Sequence, residues 1–451
     1  MKLRLDGKID LVNSPNPGKI IILFALPFFA GDIFHVFYTM IDAYVIGRRL
    51  GINGLAAVGA GGSLIWFVYG FCHGLTDGFL LTTAQRVGAG EEEGIRRSVA
   101  AVLSLCFLIS VILTLILLPV SGLLLALIQT PAEIINEAWA YIFILFSGVL
   151  LVLFSNMLAG IIRAGGNSFS PMVIFVLGTL CKIVLVLIFV VLLPWGVRGA
   201  ALATLLADLI KGLLCLGFLF RRFPHFMPRR QDWIPDLREY WAHLSLGISV
   251  ALMRSIIEVG NILLQSAING LGALSIAAVA ASQRVRGLSI IPVFSISRAM
   301  AIYTAQNYGA GKLDRVYKGL RQICLIGLGL GFFVGVLNLF GGVPIVSILL
   351  QGNAEAVSLA RQYIIFNGST VFVLALMLAF RSTLQGLGMK YPPLICGGAE
   401  TLMCVLAAFV LIPRFGFTGV SLASPLAWMA SLIPLCIAFG VFRAKNKVNG
   451  A

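Results

Sequence analysis

Charge is what this chain of 451 residues has least of. Lys, Arg, Asp and Glu make up 11% of it and hydrophobic residues 59%, whereas a soluble domain is nearer a quarter charged and half apolar. That shortage excludes an ordinary soluble protein. Long polar stretches are scarce too. Apolar windows of about 20 residues follow one another along nearly the whole length, leaving little chain for a soluble domain. None of the eight cysteines (Cys72, Cys106, Cys181, Cys215, Cys324, Cys396, Cys404, Cys436) forms a Cys-x-x-Cys or Cys/His spacing. Almost all lie in apolar windows and read as small buried hydrophobes, not as metal ligands or disulfide partners. There is no GxSxG, no HExxH and no P-loop. The Gly-rich pieces at 59–62 and 327–331 fall in helices, where small residues permit close packing. These absences speak against an enzyme, a metal site and a cofactor.

What is present is a series of membrane spans. The first apolar window is too long for a signal-peptide core, lacks a small-residue cleavage site and is followed closely by another span. It reads as a helix of the mature protein. Twelve spans are expected, at roughly 18–48, 54–85, 97–119, 138–162, 170–193, 199–221, 241–268, 273–304, 316–340, 359–382, 391–412 and 418–442. Pro27 and Pro292 lie inside the first and eighth, so a kink is expected at either. A polar lead (1–17, with Lys2, Arg4 and Lys8) precedes the spans and a short tail (443–451) follows them. The longest polar connection, 222–240, divides them six and six.

The net charge of +15 would suit a nucleic-acid partner, but the placement of the charges argues otherwise. Most of the basic residues stand at the termini and in alternate loops. Arg48, Arg49, Arg198, Arg361 and Arg414 are on the opposite loops, and Lys182, Lys211, Arg254, Arg284, Arg286 and Arg298 fall within spans. This is the positive-inside bias, and it predicts both termini on the cytoplasmic side of a cytoplasmic-type membrane.

The two halves repeat. Thr83-Ala84-Gln85-x-x-Gly88-Ala89-Gly90 recurs as Thr304-Ala305-Gln306-x-x-Gly309-Ala310-Gly311, an offset of 221. Ala56-Ala57-Val58 recurs as Ala277-Ala278-Val279, and Gly165 and Pro171 match Gly386 and Pro392, at the same offset. Gly196-x-x-Gly199 through Thr204 matches Gly416-x-x-Gly419 through Ser424, shifted by one. Several matches in order at nearly one offset indicate a duplication. Six spans per copy return the chain to the same side, so the copies are parallel and relate by an axis along the membrane normal. The expected fold is an all-α polytopic membrane protein: twelve transmembrane helices in two parallel six-helix repeats around a central cleft. The N-lobe is 18–221 and the C-lobe 241–442.

The chemistry rests on ionisable groups inside spans. In the first helix Asp32, His35, Thr39 and Asp42 are spaced i, i+3, i+7, i+10, within about an 80° arc. An ionised group near the bilayer centre costs about 2.5–3.5 kcal/mol on insertion scales unless it faces protein or water. The stripe should therefore face a cavity. His73 and Asp77 share a face of helix 2 at i, i+4. Arg254, Glu258, Asn261 and Gln265 share one of helix 7, within about 60°. Each group also has a plain reading. Asp208–Lys211 neutralise one another in helix 6, His73–Asp77 form a structural hydrogen bond, and Arg254–Glu258 offset one another's desolvation. Arg284, Arg286 and Arg298 snorkel to an interface or pair with the acids of helix 2. Asp42 is hardest to explain so. It has no basic residue one turn before it, and its stripe neighbours are acidic or neutral. Such a carboxylate can exchange a proton near neutral pH or bind Na⁺.

The sequence resembles the MATE (multidrug and toxic compound extrusion) transporters of the MOP superfamily. Pro27…Asp42-x4-Gly47-x3-Gly51-x3-Leu55-Ala56-Ala57-Val58-Gly59 is similar to that family's first helix and following loop. The Gln-x-x-Gly-Ala elements at 85–89 and 306–310 resemble its second and eighth helix ends, and Arg163-Ala-Gly-Gly-Asn167-x3-Pro171 its helix 4–5 turn. The resemblance spans the whole chain. It implies a twelve-helix antiporter, without a cofactor, that exports cationic or amphiphilic drugs in exchange for H⁺ or Na⁺. By the same resemblance Asp42 aligns with the helix 1 coupling acid and Glu258 with the helix 7 acid of the NorM branch. That branch also has a helix 10 acid, where this chain offers only Asn367. The helix 5 Asp of the DinF branch is missing, and Lys182 stands nearby.

Two functions follow. The first is a cation-coupled exporter, its coupling acids drawn from Asp42, Asp32, His35, Glu258 and Asp77. Its substrate is held by Phe28, Phe34, Tyr38, Asn261, Gln265 and Arg254, with Phe37 as a further possible wall. A monomer among membrane lipids is expected. The second is a flippase of a lipid-linked or anionic precursor, whose phosphate Arg254, Arg284, Arg286 and Arg298 would hold. A non-transporting membrane protein, such as an intramembrane enzyme or receptor, fits the duplication poorly.

Overall fold

The computed structural model describes residues 9–234 and 236–448. Lys2, Arg4 and Lys8 of the expected lead, and the last residues of the tail, lie outside the described residues. Among the described residues nine helices are each long and apolar enough to cross a bilayer, and two further spans are bent pairs. One of the nine, Pro17–Ala89, has 73 residues. At 1.5 Å per residue that is about 110 Å, far more than one crossing needs. It divides at Gly51, whose φ of 67° and ψ of −167° are not helical. The positive φ is one that glycine adopts without steric cost. The described residues thus make the twelve spans expected. They are α1 (17–50), α2 (52–89), α3 (Glu92–Leu127), the pair Ile135–Ser147 and Val149–Ala164 as α4, α5 (Phe169–Leu192) and α6 (Gly196–Arg222). The second set is α7 (Leu237–Asn269), α8 (Ala273–Gly309), α9 (Leu313–Leu349), the pair Ala354–Ser369 and Val371–Gly386 as α10, α11 (Tyr391–Phe415) and α12 (Phe417–Val448). The helix continues through both Pro27 and Pro292.

The duplication reaches into the backbone. Of the left-handed residues among those described, all but Gly352 fall in pairs: Gly51 with Gly272, Gly90 with Gly311, Gln129 with Gln351, Gly166 with Gly388 and Gly196 with Gly416. The bend of 48° in α4 centres on Gly148 and that of 44° in α10 on Thr370. The wide turns Leu187–Leu192 in α5 and Ala407–Leu411 in α11 also correspond.

Two compact units result. Unit 1 holds Ala30–Ala251, and unit 2 holds Leu11–Phe29 with the chain from Leu252 on. The division falls inside α1 and, at the equivalent place in the repeat, inside α7. In unit 2 the Leu11 carbonyl accepts from Asn307 (3.1 Å) and Arg315 (3.3 Å), and the Gly18 N–H donates to Gln322 (2.6 Å). In unit 1 the segment leading into α7 is held in the same way. Asp232 pairs with Arg96 at 3.3 Å, and Glu239 with Arg86 at 2.5 Å. Behind them His243, fully buried, lies between the Glu239 carbonyl (2.8 Å) and the Ser98 hydroxyl (2.9 Å). There α2 meets the head of α7 through glycine. A Cβ built on Gly78 would stand 2.5 Å from the Gly247 Cα.

The first helix of the α10 pair starts from a cap that local sequence specifies. Asn353 accepts from the Ala356 N–H at 3.0 Å, and Glu355 follows in the first turn, where the helix dipole favours a carboxylate. Asn353→Ala is expected to cost about 1 kcal/mol. The thermal midpoint of the detergent-solubilised protein should drop by no more than a few degrees, with transport unchanged. A midpoint equal to that of wild type would remove the cap as a contributor.

Candidate functional site

In unit 1, His35, Tyr38 and Asp42 occupy one face of α1, and Phe175, Gly178 and Lys182 occupy one face of α5 at the same i, i+3, i+7 spacing. The two faces meet. Asp42 Oδ2 lies 3.4 Å from Lys182 Nζ and accepts from the Tyr38 hydroxyl at 3.5 Å. The Lys182 ammonium also donates to the Tyr38 hydroxyl and stands 4.7 Å from the centre of its ring. His35 packs edge-on against Tyr38 (6.0 Å) and at a 32° tilt against Phe175 (6.2 Å). From α6 comes a second ion pair, Asp208 with Lys211, and Lys211 lies 5.6 Å from the Phe175 ring. Gly178 makes room for it, because a Cβ there would stand 2.2 Å from Lys211 Cγ. Carboxylates and ammoniums are thus brought together on three helices, with His35 in the field of Asp32, Lys182 and Lys211.

Two tyrosines complete this region. Tyr141 of α4 is buried within the field of Asp42. Tyr69 of α2 lies within that of Asp208, and its buried hydroxyl has no partner among the described residues. Among those residues no group of three His, Cys, Asp or Glu is placed to hold a metal ion.

The other expected residues are distributed as follows. Asp32 and Phe34 are half-buried on α1, and Phe37 and Thr39 are exposed. The Thr39 hydroxyl turns back to the Val36 carbonyl (2.8 Å). Asp77 is half-buried on α2 and His73 exposed. Phe28 belongs to unit 2, where it meets Phe24 edge-on at 5.9 Å and the Arg298 guanidinium at 5.1 Å. On α7, Arg254, Glu258 and Gln265 are half-buried and Asn261 is exposed. Asn261 donates to Glu258 (3.4 Å) and Gln265 to Asn269 (2.9 Å), so these bonds run along the helix itself.

A family model described as MatE matches residues 27–188 and 250–413. The chain belongs to the MATE family. A "Probable multidrug resistance protein YpnP" of Bacillus subtilis is 28% identical over 300 residues, 66% of this chain and 66% of that protein's length. A "Probable multidrug resistance protein NorM" of Thermotoga maritima is 24% identical over 407 residues, covering 89% and 87%. The crystal structure titled "MATE in the bent conformation" superposes with a TM-score of 0.89 at 23% identity, covering 97% of this chain and 98% of that one. This MATE chain is accordingly a multi-pass membrane transporter and not an enzyme.

Its structure also pairs two residues that the span-by-span reading passed over. Arg381 of α10 lies 3.4 Å from Glu400 of α11, and Cys396 Sγ stands 3.8 Å from the same carboxylate. Both are ionisable groups in apolar windows, the signal that singled out Asp42. Close opposition of charges on neighbouring helices is the plain ion-pair arrangement that neutralises buried charge.

Proposed function

We propose that this MATE protein is a cation-coupled antiporter that exports small amphiphilic or cationic compounds by alternating access, with Asp42 as the coupling carboxylate. The observation that carries this reading is the contact of Asp42 with Lys182 and Tyr38 inside unit 1. Ionised Asp42 holds the Lys182 ammonium. Protonated Asp42 releases it toward Tyr38 and toward Asp208, whose charge also acts on Lys182. Taking up a coupling cation therefore changes how α1 is held against α5. An ion and a substrate that each prefer a different arrangement are sufficient for exchange. The ammonium 3.4 Å away repels Na⁺ and leaves few oxygens to coordinate it, so the proton is the coupling ion we favour. Asp32, His35 and Asp77 are proposed to pass the proton within unit 1, and Glu258 to serve in unit 2. Phe34 and Tyr38 face the substrate in unit 1. Phe28, Arg254, Asn261 and Gln265 face it in unit 2. The repeats 18–221 and 241–442 act as N- and C-lobes of a monomer, except that the head of α1 belongs with the second and the head of α7 with the first, and both termini are cytoplasmic.

Ethidium efflux from proteoliposomes tests the reading, with a pH gradient and a Na⁺ gradient imposed separately. Efflux is expected with the pH gradient and not with Na⁺ alone. Efflux with Na⁺ alone would retire the proton, and efflux with neither would retire the antiporter in favour of a flippase.

A further inference from the structure

Unit 2 contains a cation of a different kind. Arg286 is the fourteenth residue of the 37 in α8, about 20 Å from the helix start and so at membrane depth. Its Nη1 donates to Asn367 Oδ1 of α10 (3.2 Å) and to Ser424 Oγ of α12 (3.2 Å), and its guanidinium stands 5.9 Å from the Tyr363 ring. These partners are all uncharged. Among the described residues no carboxylate forms an ion pair with it. Of the acids within the spans of unit 2, Glu400 is engaged by Arg381, Glu258 lies on α7, and Asp314 and Glu355 stand in the first turns of α9 and α10.

The partners are themselves fixed. Asn367 is 1% exposed, and its amide nitrogen donates to the carbonyls of Tyr363 (3.0 Å) and Ser421 (3.2 Å). That pins its oxygen toward Arg286. The guanidinium is thus held by one corner. Its other edge, Nε with Nη2, has no protein acceptor among the described residues, and neither atom is among the fully buried unpartnered donors. That edge keeps some accessible surface and is a preformed two-pronged donor, the fork that matches a carboxylate or phosphate. Nor is the arginine inherited from the duplication, since Ile65 occupies the equivalent position of the first half at the offset of 221. A cation at that depth is costly unless water or a ligand answers it.

We propose that Arg286, held by Asn367 and Ser424, is an oxyanion site, and that the exported compounds include amphiphiles carrying a carboxylate or phosphate. This rests on the transport reading above and narrows its substrate class. The probe is carboxyfluorescein, with binding followed by fluorescence anisotropy on the whole protein in phosphatidylcholine nanodiscs at one fixed salt concentration. Wild type is expected to bind it. Arg286→Gln should weaken binding at least tenfold, and Arg286→Lys, which keeps the charge without the fork, by less. Ser424→Asp places a carboxylate beside the guanidinium and should weaken binding as Arg286→Gln does. It also serves as the test if Arg286→Gln yields no monodisperse protein. Nanodiscs containing phosphatidylglycerol separate the two sources of oxyanion. Loss of carboxyfluorescein binding there assigns the site to a lipid headgroup, and unchanged binding assigns it to a soluble amphiphile. Absence of binding by wild type in phosphatidylcholine, or equal binding by wild type and all variants, would overturn the site. Ethidium efflux by wild type, measured separately, decides the antiporter reading, so the two can fail independently.

Discussion

Asp42→Asn is expected to abolish ethidium efflux driven by a pH gradient, by tenfold or more in initial rate. The substitution keeps the size of the side chain and its contact with Tyr38, but it removes the carboxylate that stands 3.4 Å from Lys182. Two effects then overlap. The coupling group can no longer exchange a proton, and a buried ammonium loses its partner, which in comparable cases costs about 3–5 kcal/mol. A second variant separates them. Asp42→Asn combined with Lys182→Met removes both charges and should restore the yield of monodisperse protein without restoring transport. Transport recovered in the double variant would reduce the pair to a structural neutralisation. Efflux retained in Asp42→Asn itself would move the coupling role to Glu258 or Asp77.

Gly78→Val is expected to be the most damaging single change to the fold. A Cβ at Gly78 meets the Cα and N of Gly247 at 2.5 and 2.8 Å, and one at Gly247 meets Phe79 at 2.3 Å. The obstacle at Gly78 is backbone, so no rotamer change relieves it and α2 must separate from the head of α7. Overpacking typically costs about 1–3 kcal/mol, and a backbone clash in a membrane helix pair should reach the upper end, because close approach is what small residues supply there. The measurement is the monodisperse fraction on size-exclusion chromatography after solubilisation. Gly70→Val is the control on the same helix, because a Cβ at Gly70 meets nothing within 4 Å. A large loss for Gly78 alone is expected. Equal fractions for the two variants would mean that α2 and α7 do not meet as described.

Much of this molecule was legible in the order of its residues. Hydropathy marks spans because lipid demands long apolar segments, and a repeat at an offset of 221 marks a duplication whatever the fold. The left-handed backbone follows suit, with Gly51 and Gly272 breaking the chain at matched points. The allocation of α1 and α7 was not legible. Each reads as one apolar span, and nothing local in Leu11–Phe29 says that its partners are Asn307, Arg315 and Gln322. At the site, helical spacing placed His35 and Asp42 on one stripe, and Tyr38 flanked it. What that spacing could not supply was the distance from Asp42 to Lys182, because that depends on how α5 packs against α1. Lys182 registered only as a lysine where an acid was expected. Asn367 registered as a polar residue in a helix lacking an acid, and its role as a clamp on Arg286 needed three helices in place.

The allocation of the helix heads has a bearing on biosynthesis. The groups that hold Leu11–Phe29, from Arg298 to Gln322, are made roughly 280 residues after it. At about 5–20 residues per second, that is a delay of about 14–56 s. Through that interval the head of α1 has no unit to join, whereas the head of α7 finds unit 1 already made. The first half of this protein therefore waits on the second, and a chain truncated in the 222–240 connection leaves its own first helix without a place to pack.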